Sequence, residues 1–342
     1  MDISRSQNPS VTDLILRPAY HAVRSAYRQV RAIKNHLFNL INSPIIILVY
    51  HRVTDLVSDP EMLAVSPENF RRHMEFLKGQ FRIVRFEEEW SDLQEPAVVV
   101  TFDDGYADNV LEALPILEEV GVPATFFVST GRIGTDNEFW WHQMEGLLLQ
   151  DGEFPSRFEL NDARHGRAWD TDTLQQRREL YAKLNALMQK VAPDHRQEWL
   201  DQLKKWAGSG DAGKDIHRSM TLEELNKLAA SPWATIGAHT VTHSALSALS
   251  EEQQKEEIFT SKKDLEDRTG LQITTFSYPF GRKEDYDQTS VRLCREAGFI
   301  KAASNFPGQV HKWTDPFQLP RHLVRNWDLD TFTAKLESFW TR

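Results

Sequence analysis

The chain has 342 residues, of which 40% are hydrophobic, so it can bury a large core as one α/β barrel or as two domains; we expect one barrel. The formal net charge of -10 argues against nucleic acid as a partner, because phosphate binding relies on an excess of Lys and Arg. A single cysteine, Cys294, excludes an intrachain disulfide framework and a multi-cysteine metal cluster.

Residues 1–44 form a net positive segment on this acidic protein. Apolar residues recur at helical steps from Leu16 to Leu37, and Arg17, Arg24 and Arg28 lie on the opposite face. The pattern predicts an amphipathic helix that packs on the barrel bottom; the alternative is a basic helix that lies on anionic lipid, as a peripheral membrane contact. No run reaches the roughly 20 apolar residues of a spanning helix, and no secretory signal is visible, so we expect a cytoplasmic protein at or near the inner membrane face.

The chain from Ile45 onward alternates buried strand runs with helical patterns, which is typical of parallel α/β folds. A helix begins after Ser66, with Pro67 in its first turn, and another is ended by Gly121. The predicted strands of this first half are 45–50, 81–84, 97–102 and 124–128, and the predicted helices are 66–78 and 106–119.

Residues 45–342 are expected to form the barrel, interrupted between about 139 and 219 by an inserted helical subdomain. Charged helical patterns, 173–191 and 194–207, dominate that interval. Ser250 and Gln253 then form a capping box, and Gly270 ends the helix that follows. The later predicted strands are 234–238, 274–278, 299–303 and 319–324, and the later predicted helices are 251–268 and 330–340.

Polar side chains follow several of the predicted strands directly. His51 follows the first strand, Asp103 and Asp104 follow the strand 97–102, and His239 and His243 follow the strand 234–238. The carboxyl ends of parallel strands meet at one face, where loops carry ligand-binding residues. These side chains are therefore expected to converge.

Two imidazoles and one carboxylate leave open positions on a divalent cation such as Zn²⁺, as a catalytic site requires. A water bound there becomes acidic enough to attack near neutral pH, and a neighbouring carboxylate can take its proton. Because strand neighbours point to opposite sides, one of Asp103 and Asp104 is expected to bind metal and the other to act as base. A lone His-x-x-x-His is a weak signal, but with Asp-Asp-Gly at a strand end it indicates a metal site.

Three motifs resemble the signature blocks of the polysaccharide deacetylase family, which is carbohydrate esterase family 4 or the NodB-homology group. They are Thr101-Phe102-Asp103-Asp104-Gly105, His239-Thr240-Val241-Thr242-His243 and Tyr278-Pro279-Phe280-Gly281. The resemblance covers about residues 45–325. It implies a distorted (β/α)7 barrel that uses a divalent metal, commonly zinc, to remove N- or O-acetyl groups from sugars.

The resemblance also implies roles for single residues. It makes Asp103 the general base and Asp104, His239 and His243 the metal ligands. The motif Tyr278-Pro279-Phe280 would lie beside the substrate, with a backbone N–H beside Phe280 holding the oxyanion together with the metal. Ser277 stands where many members have an arginine that pairs with the base, and we expect Arg321 to supply that charge from the last strand.

The general acid is open at this stage. His322 is the nearest match to the family's last motif, although Arg321 and His322 are strand neighbours and only one can point into the pocket. His51 is the alternative, and either histidine could instead serve packing or hydrogen bonding. Trp140 and Trp141 could stack on a sugar, but anchoring of the inserted helix to the barrel is the favoured reading.

The sequence thus predicts a metal-dependent hydrolase that removes acetyl groups from an N-acetylated polysaccharide, cell-wall glycan or lipid-linked sugar. The expected metal is Zn²⁺, with Co²⁺, Ni²⁺ and Mn²⁺ as other ions that such a site accepts. Two alternatives remain: a deformylase or amidase of the same superfamily, and a catalytically inactive carbohydrate-binding protein.

Overall fold

The computed structural model describes residue 39 and residues 43–135, 138–162, 164, 166–208 and 215–341. The helix predicted within residues 1–44 lies almost entirely outside the described residues, so its packing and its membrane contact stay predictions. In the described part of the chain, no helix combines the length and the apolar character needed to cross a membrane.

The described residues form twelve strands, which we number in chain order. They are β1 (Ile45–Tyr50), β2 (Arg52–Val53), β3 (Ala64–Val65), β4 (Arg82–Ile83), β5 (Ala97–Phe102), β6 (Ala124–Val128), β7 (Arg157–Leu160), β8 (Arg167–Asp170), β9 (Ala234–Ala238), β10 (Thr275–Ser277), β11 (Lys301–Ala303) and β12 (His322–Leu323).

The α-helices are numbered in the same way. They are α1 (Pro67–Gln80), α2 (Leu114–Val120), α3 (Trp140–Leu148), α4 (Leu174–Met188), α5 (Pro193–Ala207), α6 (Leu222–Ala230), α7 (Glu251–Thr269), α8 (Gln288–Glu296) and α9 (Leu329–Thr341). The predicted caps are present: the Ser66 side chain accepts from Asn69 N–H, and Ser250 and Gln253 form the capping box of α7.

One parallel sheet of eight strands forms the core, in the order β11-β10-β9-β6-β5-β1-β12, with β4 paired to β5. All residues of β1 and β5 are buried, as expected of strands covered on both faces. The segment 319–323 closes the curled sheet, because Leu319 bridges to Ala303 of β11 and His322 pairs with Leu48 of β1. The predicted distorted (β/α)7 barrel is therefore confirmed.

Some secondary-structure elements differ from those predicted from the sequence. The last predicted strand, 319–324, shortens to β12, and Pro320, which has no N–H, interrupts the strand between Leu319 and His322. Helix α6 was not predicted, and the interval expected to be helical contains the antiparallel hairpin β7–β8. The hairpin is stabilised by packing, since Phe158 and Leu160 are buried while their neighbours Arg157 and Glu159 are exposed.

Residues 139–207, which contain α3, α4, α5 and the hairpin, bury a hydrophobic cluster of their own. Trp199 of α5 and Leu180 and Leu184 of α4 are 0–1% exposed within it. Tyr106 and Phe280, which come from barrel loops, pack into the same cluster. The segment is thereby attached beside the carboxyl ends of the sheet.

Candidate active site

A pocket of about 140 Å³ lies at the carboxyl ends of the barrel strands. It brings together the five side chains that follow β1, β5 and β9 in the sequence: His51, Asp103, Asp104, His239 and His243. Parallel strands place their carboxyl ends on one face, so residues separated by almost two hundred positions meet there.

The backbone around this pocket adopts conformations that L-residues rarely adopt. Asp104, Thr240, His243 and Phe280 have φ of 75°, 63°, 54° and 58°. Such positions cost about 1–3 kcal/mol each and persist where the surrounding structure imposes them, often at functional sites. Position 105 (φ 86°) requires glycine for a steric reason as well, because an added Cβ would stand 2.7 Å from Val128 Cγ1.

Asp104, His239 and His243 form a compact group of potential metal ligands. The His243 and His239 Nε2 atoms lie 3.1 Å and 3.5 Å from Asp104 Oδ1. Ligand atoms at about 2.0–2.2 Å from a tetrahedral ion stand about 3.3–3.6 Å apart, so the spacing fits one divalent cation. All three side chains are at most 5% exposed, and Asp104 Oδ1 makes no hydrogen bond of good geometry with any described residue. An orphaned, buried carboxylate oxygen is what a cation would satisfy.

The neighbours of this group orient its lone pairs. His239 Nδ1–H donates to the Ser277 carbonyl at 2.7 Å, which leaves Nε2 free to face Asp104. Burial opposes ionisation of Asp104, but the charge of His243 and the close approach of both histidine Nε2 atoms outweigh it and hold its pKa well below the usual value. The carboxylate is therefore ionised and the site is ready to bind a cation.

Asp103 is held by Arg321 in a buried, two-bond ion pair. Arg321 Nη1 donates to Asp103 Oδ1 at 2.7 Å and Nη2 donates to Oδ2 at 2.6 Å, and Arg321 is 1% exposed. Ser277 Oγ accepts from Arg321 Nη2 at 2.8 Å and lies 3.4 Å from Asp103 Oδ2. Burial raises the pKa of Asp103, but the Arg321 charge and its hydrogen bonds, together with His239, bring it below the usual value. Arg321 thus supplies the charge that Ser277 lacks.

His51 faces the same pocket from the end of β1. Its Nδ1 is buried without a hydrogen-bond partner among the described residues. Burial lowers the pKa of His51, and the negative charges of Asp104 and Asp103 offset part of that shift. The ring is therefore available to exchange a proton with a molecule in the pocket.

His322 does not reach the pocket, which corrects the expectation that it serves as general acid. Its Nε2–H donates to the Gly308 carbonyl at 3.0 Å, and its ring stacks on Phe339 at a centroid distance of 3.8 Å. Because Arg321 points inward to Asp103, its strand neighbour points outward against α9. Of the two candidate acids, the structure brings only His51 to the site.

The motif 278–280 contributes one side chain to the pocket. Phe280 lines it, with its ring centroid 4.8 Å from that of His243. Tyr278 points away: its hydroxyl donates to the Phe317 carbonyl and its ring stacks on Tyr286 at 4.1 Å. Pro279 is buried beside it and does not line the pocket. The expectation that Tyr278 and Pro279 contact substrate is corrected accordingly, because alternation after Ser277 turns Tyr278 outward.

Trp140 and Trp141 line the pocket at the start of α3 but are 2% and 5% exposed. Trp141 Nε1–H donates to the Tyr106 hydroxyl at 3.0 Å, and its ring lies 4.9 Å from that of His243. Rings buried to this degree offer little open face for a sugar. Their contacts favour anchoring of residues 139–207 to the barrel.

A buried glutamate that the sequence analysis missed holds the turn between the two histidines. Glu257 on α7 accepts from Val241 N–H at 2.8 Å, Thr242 N–H at 2.9 Å and the Thr242 hydroxyl at 2.5 Å. It is 7% exposed, and no local motif marks it, since its neighbours on α7 are also acidic. Its fixed carboxylate stabilises a turn that contains two residues of positive φ.

A second cluster of ligand-type side chains, His142, Glu145 and His217, lies nearby and is buried. The two imidazole rings stack at 4.1 Å with planes 14° apart, so their in-plane lone pairs do not converge on one ion. His217 Nδ1 accepts from Arg52, and burial lowers the pKa of His142 to about 3. The cluster is held together by hydrogen bonds within the protein, since His142 Nδ1 lies 3.3 Å from Glu145 Oε2 and the Tyr106 hydroxyl lies 2.9 Å from His142 Nε2.

The comparisons with known proteins agree with this site. The family model for polysaccharide deacetylase matches residues 91–156 and 202–301. YxkH of Bacillus subtilis (strain 168) is 22% identical over 282 residues, which cover 80% of this chain and 69% of the relative. The matched segments contain Asp103, Asp104, His239 and His243.

Solved structures share the fold. The Streptococcus pyogenes deacetylase PplD, in complex with acetate, aligns over 87% of this chain and 99% of its own with a TM-score of 0.55 and 17% identity. IcaB from Ammonifex degensii aligns over 88% of this chain and 98% of its own, with a TM-score of 0.55 and 17% identity. The chain contains a polysaccharide deacetylase domain, whose family model matches its residues 91–156 and 202–301. It is a hydrolase of the class that acts on carbon–nitrogen bonds other than peptide bonds.

Proposed function

We propose that this protein is a metal-dependent hydrolase that removes N-acetyl groups from a glycan. The observation that carries the proposal is the pairing, in one pocket, of a three-residue ligand group with a second carboxylate that Arg321 holds ionised. Asp104, His239 and His243 would hold the ion, and Zn²⁺ suits two imidazoles and a carboxylate best. A divalent cation in this position supplies Lewis acidity to water and to the acetyl carbonyl.

The chain's own side chains account for the proton transfers. Asp103 accepts the proton of the attacking water, because its pKa is held low enough for it to be ionised. A backbone N–H beside Phe280 hydrogen-bonds the oxyanion of the tetrahedral intermediate. As the carbon–nitrogen bond breaks, the leaving nitrogen takes up the proton that Asp103 accepted from the water, with His51 relaying it, so that acetate and the free amine leave.

Two measurements test this function. Metal analysis of the purified protein should find close to one equivalent of bound divalent metal, and acetate release should follow incubation with N-acetylated glycans. Asp103→Asn should keep the metal and lose turnover, because it removes the base and leaves the three ligands intact. Protein that neither contains nor is activated by Zn²⁺ or Co²⁺ would contradict the proposal.

The basic segment 1–44 bears on which substrate the enzyme meets. Packing on the barrel bottom is the favoured interpretation of its pattern, and contact with anionic lipid, the alternative, would suit a lipid-linked sugar as substrate. Co-sedimentation with anionic vesicles should be lost when residues 1–40 are removed. Equal sedimentation of both forms would instead favour packing of the segment on the barrel.

A further inference from the structure

A buried arginine of the inserted segment reaches the turn that carries the candidate metal ligands. Arg196 lies on α5, is 4% exposed, and its Cζ stands 5.2 Å from the centre of the Trp140 ring. Its Nη2 donates to Ser244 Oγ at 3.0 Å and to the Val191 carbonyl at 3.3 Å, and its Nε has no hydrogen-bond partner among the described residues. Both acceptors are uncharged, although a charge removed from water normally requires a counter-charge nearby.

The counter-charge lies on the barrel, on helix α7. Burial lowers the pKa of Arg196 to about 10, and the negative charge of Glu257 acts against that shift. Glu257 is itself 7% exposed, so its carboxylate also lies away from water. Opposite charges attract more strongly in the protein interior than in water, and each group therefore offsets part of the cost of burying the other.

Two hydroxyl groups connect the guanidinium to the carboxylate. Ser244 Oγ lies 2.8 Å from Thr242 Oγ1, and Thr242 Oγ1 donates to Glu257 Oε1 at 2.5 Å. A guanidinium can only donate and a carboxylate can only accept, so the bonds run in one direction, from Arg196 through Ser244 and Thr242 to Glu257. Each hydroxyl donates one of these bonds and accepts another, and neighbouring bonds in such a series strengthen one another. We call these four residues the Arg196–Glu257 chain.

The chain holds the turn 240–244 from two sides. Two residues of this turn, one of them His243, have positive φ, and such conformations persist only where surrounding contacts impose them. Glu257 fixes the turn from the barrel by accepting from two of its backbone N–H groups. Arg196 fixes it from the inserted segment through Ser244, the residue that follows His243.

We propose that Arg196 is a positioning residue of the metal site: through the Arg196–Glu257 chain it holds His243 with its Nε2 toward Asp104, 3.1 Å from Oδ1. The inference rests on the proposed metal-dependent function. Arg196 lies in residues 157–201, between the two segments that the family model matches, whereas the other three members of the chain lie in the second matched segment. The inserted segment thereby contributes to metal binding as well as packing beside the pocket.

Three substitutions separate this role from general packing. Arg196→Gln removes the charge at the start of the chain. Ser244→Ala interrupts the chain by removing a single oxygen and leaves Arg196 beside Trp140. Arg177→Gln is the matched control, because Arg177 is 6% exposed and its guanidinium donates only within the inserted segment, to the Leu148 carbonyl at 2.8 Å and to two further carbonyls there.

Competition with a zinc chelator measures the zinc affinity of each folded protein, and the visible absorption bands of bound Co²⁺ report the geometry of its ligands. Arg196→Gln and Ser244→Ala should each lower zinc affinity by at least about tenfold, as loss of a residue that orients metal ligands does. Both should also change the Co²⁺ spectrum. Arg177→Gln should lower the melting temperature and keep the wild-type zinc affinity and Co²⁺ spectrum.

A double-variant cycle tests whether Arg196 and Glu257 act through one chain. Glu257→Gln should lower zinc affinity, and Arg196→Gln added to it should cause a combined loss smaller than the product of the two single losses, because residues of one network are not independent. Losses that multiply would show two separate effects and would overturn the chain.

The outcomes separate this inference from the proposed function. Wild-type zinc affinity in Ser244→Ala, or the same zinc affinity in Arg196→Gln and Arg177→Gln, would overturn the positioning role and leave the metal-dependent function standing. A wild-type protein that binds neither Zn²⁺ nor Co²⁺ would overturn the metal-dependent function, and the positioning role with it.

Discussion

Arg321 and Asp103 form a buried ion pair that joins the segment closing the barrel to the end of β5, with nitrogen–oxygen distances of 2.7 Å and 2.6 Å. The two residues are 218 positions apart in the sequence. Ser277 bridges them from β10. The charge that the family resemblance places on the strand of Ser277 comes here from the residue before β12, and the Asp103 carboxylate is held through both of its oxygens.

Arg321→Ala should raise the pKa of Asp103 and shift the acidic limb of the pH–rate profile to higher pH. Arg321 holds that pKa below its usual value, so activity needs a higher pH once the guanidinium is gone. Leaving a buried charge without its partner costs about 3–5 kcal/mol of folding free energy. Initial rates across pH and denaturant unfolding measure both effects. An unchanged acidic limb in Arg321→Ala would show that Arg321 does not tune the base.

The same pair predicts how stability depends on pH. The folded-state pKa of Asp103 is depressed, so its stabilisation is present above the unfolded value of about 3.9 and is lost as pH falls through the folded value. Asp103→Asn should therefore flatten the acid side of the stability curve. The measurement is the free energy of unfolding between neutral and acidic pH, with exposed Asp151→Asn as the control.

His51→Gln and His322→Gln should behave differently. His51 lines the pocket with a free Nδ1, so His51→Gln should lower kcat about 10²–10⁴-fold, as loss of a general acid does. His322→Gln should leave the folded enzyme's kcat unchanged and lower only its stability, because His322 packs on Phe339. The pH dependence of kcat and thermal unfolding distinguish these results. Equal loss of kcat in both variants would contradict the assignment.

Glu257→Gln should weaken metal binding without removing a ligand. The carboxylate accepts hydrogen bonds from Val241 and Thr242, and a glutamine side chain can satisfy only part of them. Loss of a residue that orients metal ligands lowers metal affinity about 10–100-fold. Competition with a zinc chelator measures the change, and Glu256→Gln, exposed on the same helix, is the matched control. Identical zinc affinities in the two variants would contradict a positioning role for Glu257.

Gly105→Ala should destabilise the fold. Gly105 has φ of 86°, and its added Cβ would meet Val128 Cγ1 at 2.7 Å, so the variant combines backbone strain with overpacking at about 1–3 kcal/mol. Gly79→Ala is the control. It lies within α1 with no atom within 4 Å of an added Cβ, and the change should stabilise by about 0.5–1 kcal/mol. Thermal unfolding of both variants should show a lower melting temperature for Gly105→Ala and a higher one for Gly79→Ala.

The strands of the barrel could be read directly from the sequence. Residues 45–50, 97–102, 124–128 and 234–238 form strands with the predicted bounds, because buried parallel strands are continuous apolar runs. The order of the motifs also placed Asp103, Asp104, His239 and His243 at strand ends. The local sequence was sufficient to predict these strands and motifs, since each of them lies within one short segment.

Only the tertiary structure decided how distant segments meet. It turned Arg321 toward Asp103 and His322 toward α9, a choice that depends on the direction in which a two-residue strand enters the barrel. It also set α4 against the loop 57–61 to form a cavity. Sequence alone determined the barrel strands and the catalytic motifs, because they follow from local hydrophobicity and spacing. The sequence suggested Arg321 as the partner of Asp103. Which of Arg321 and His322 points inward, and how the wall beside the pocket forms, depend on contacts between residues far apart in the chain that no local pattern records.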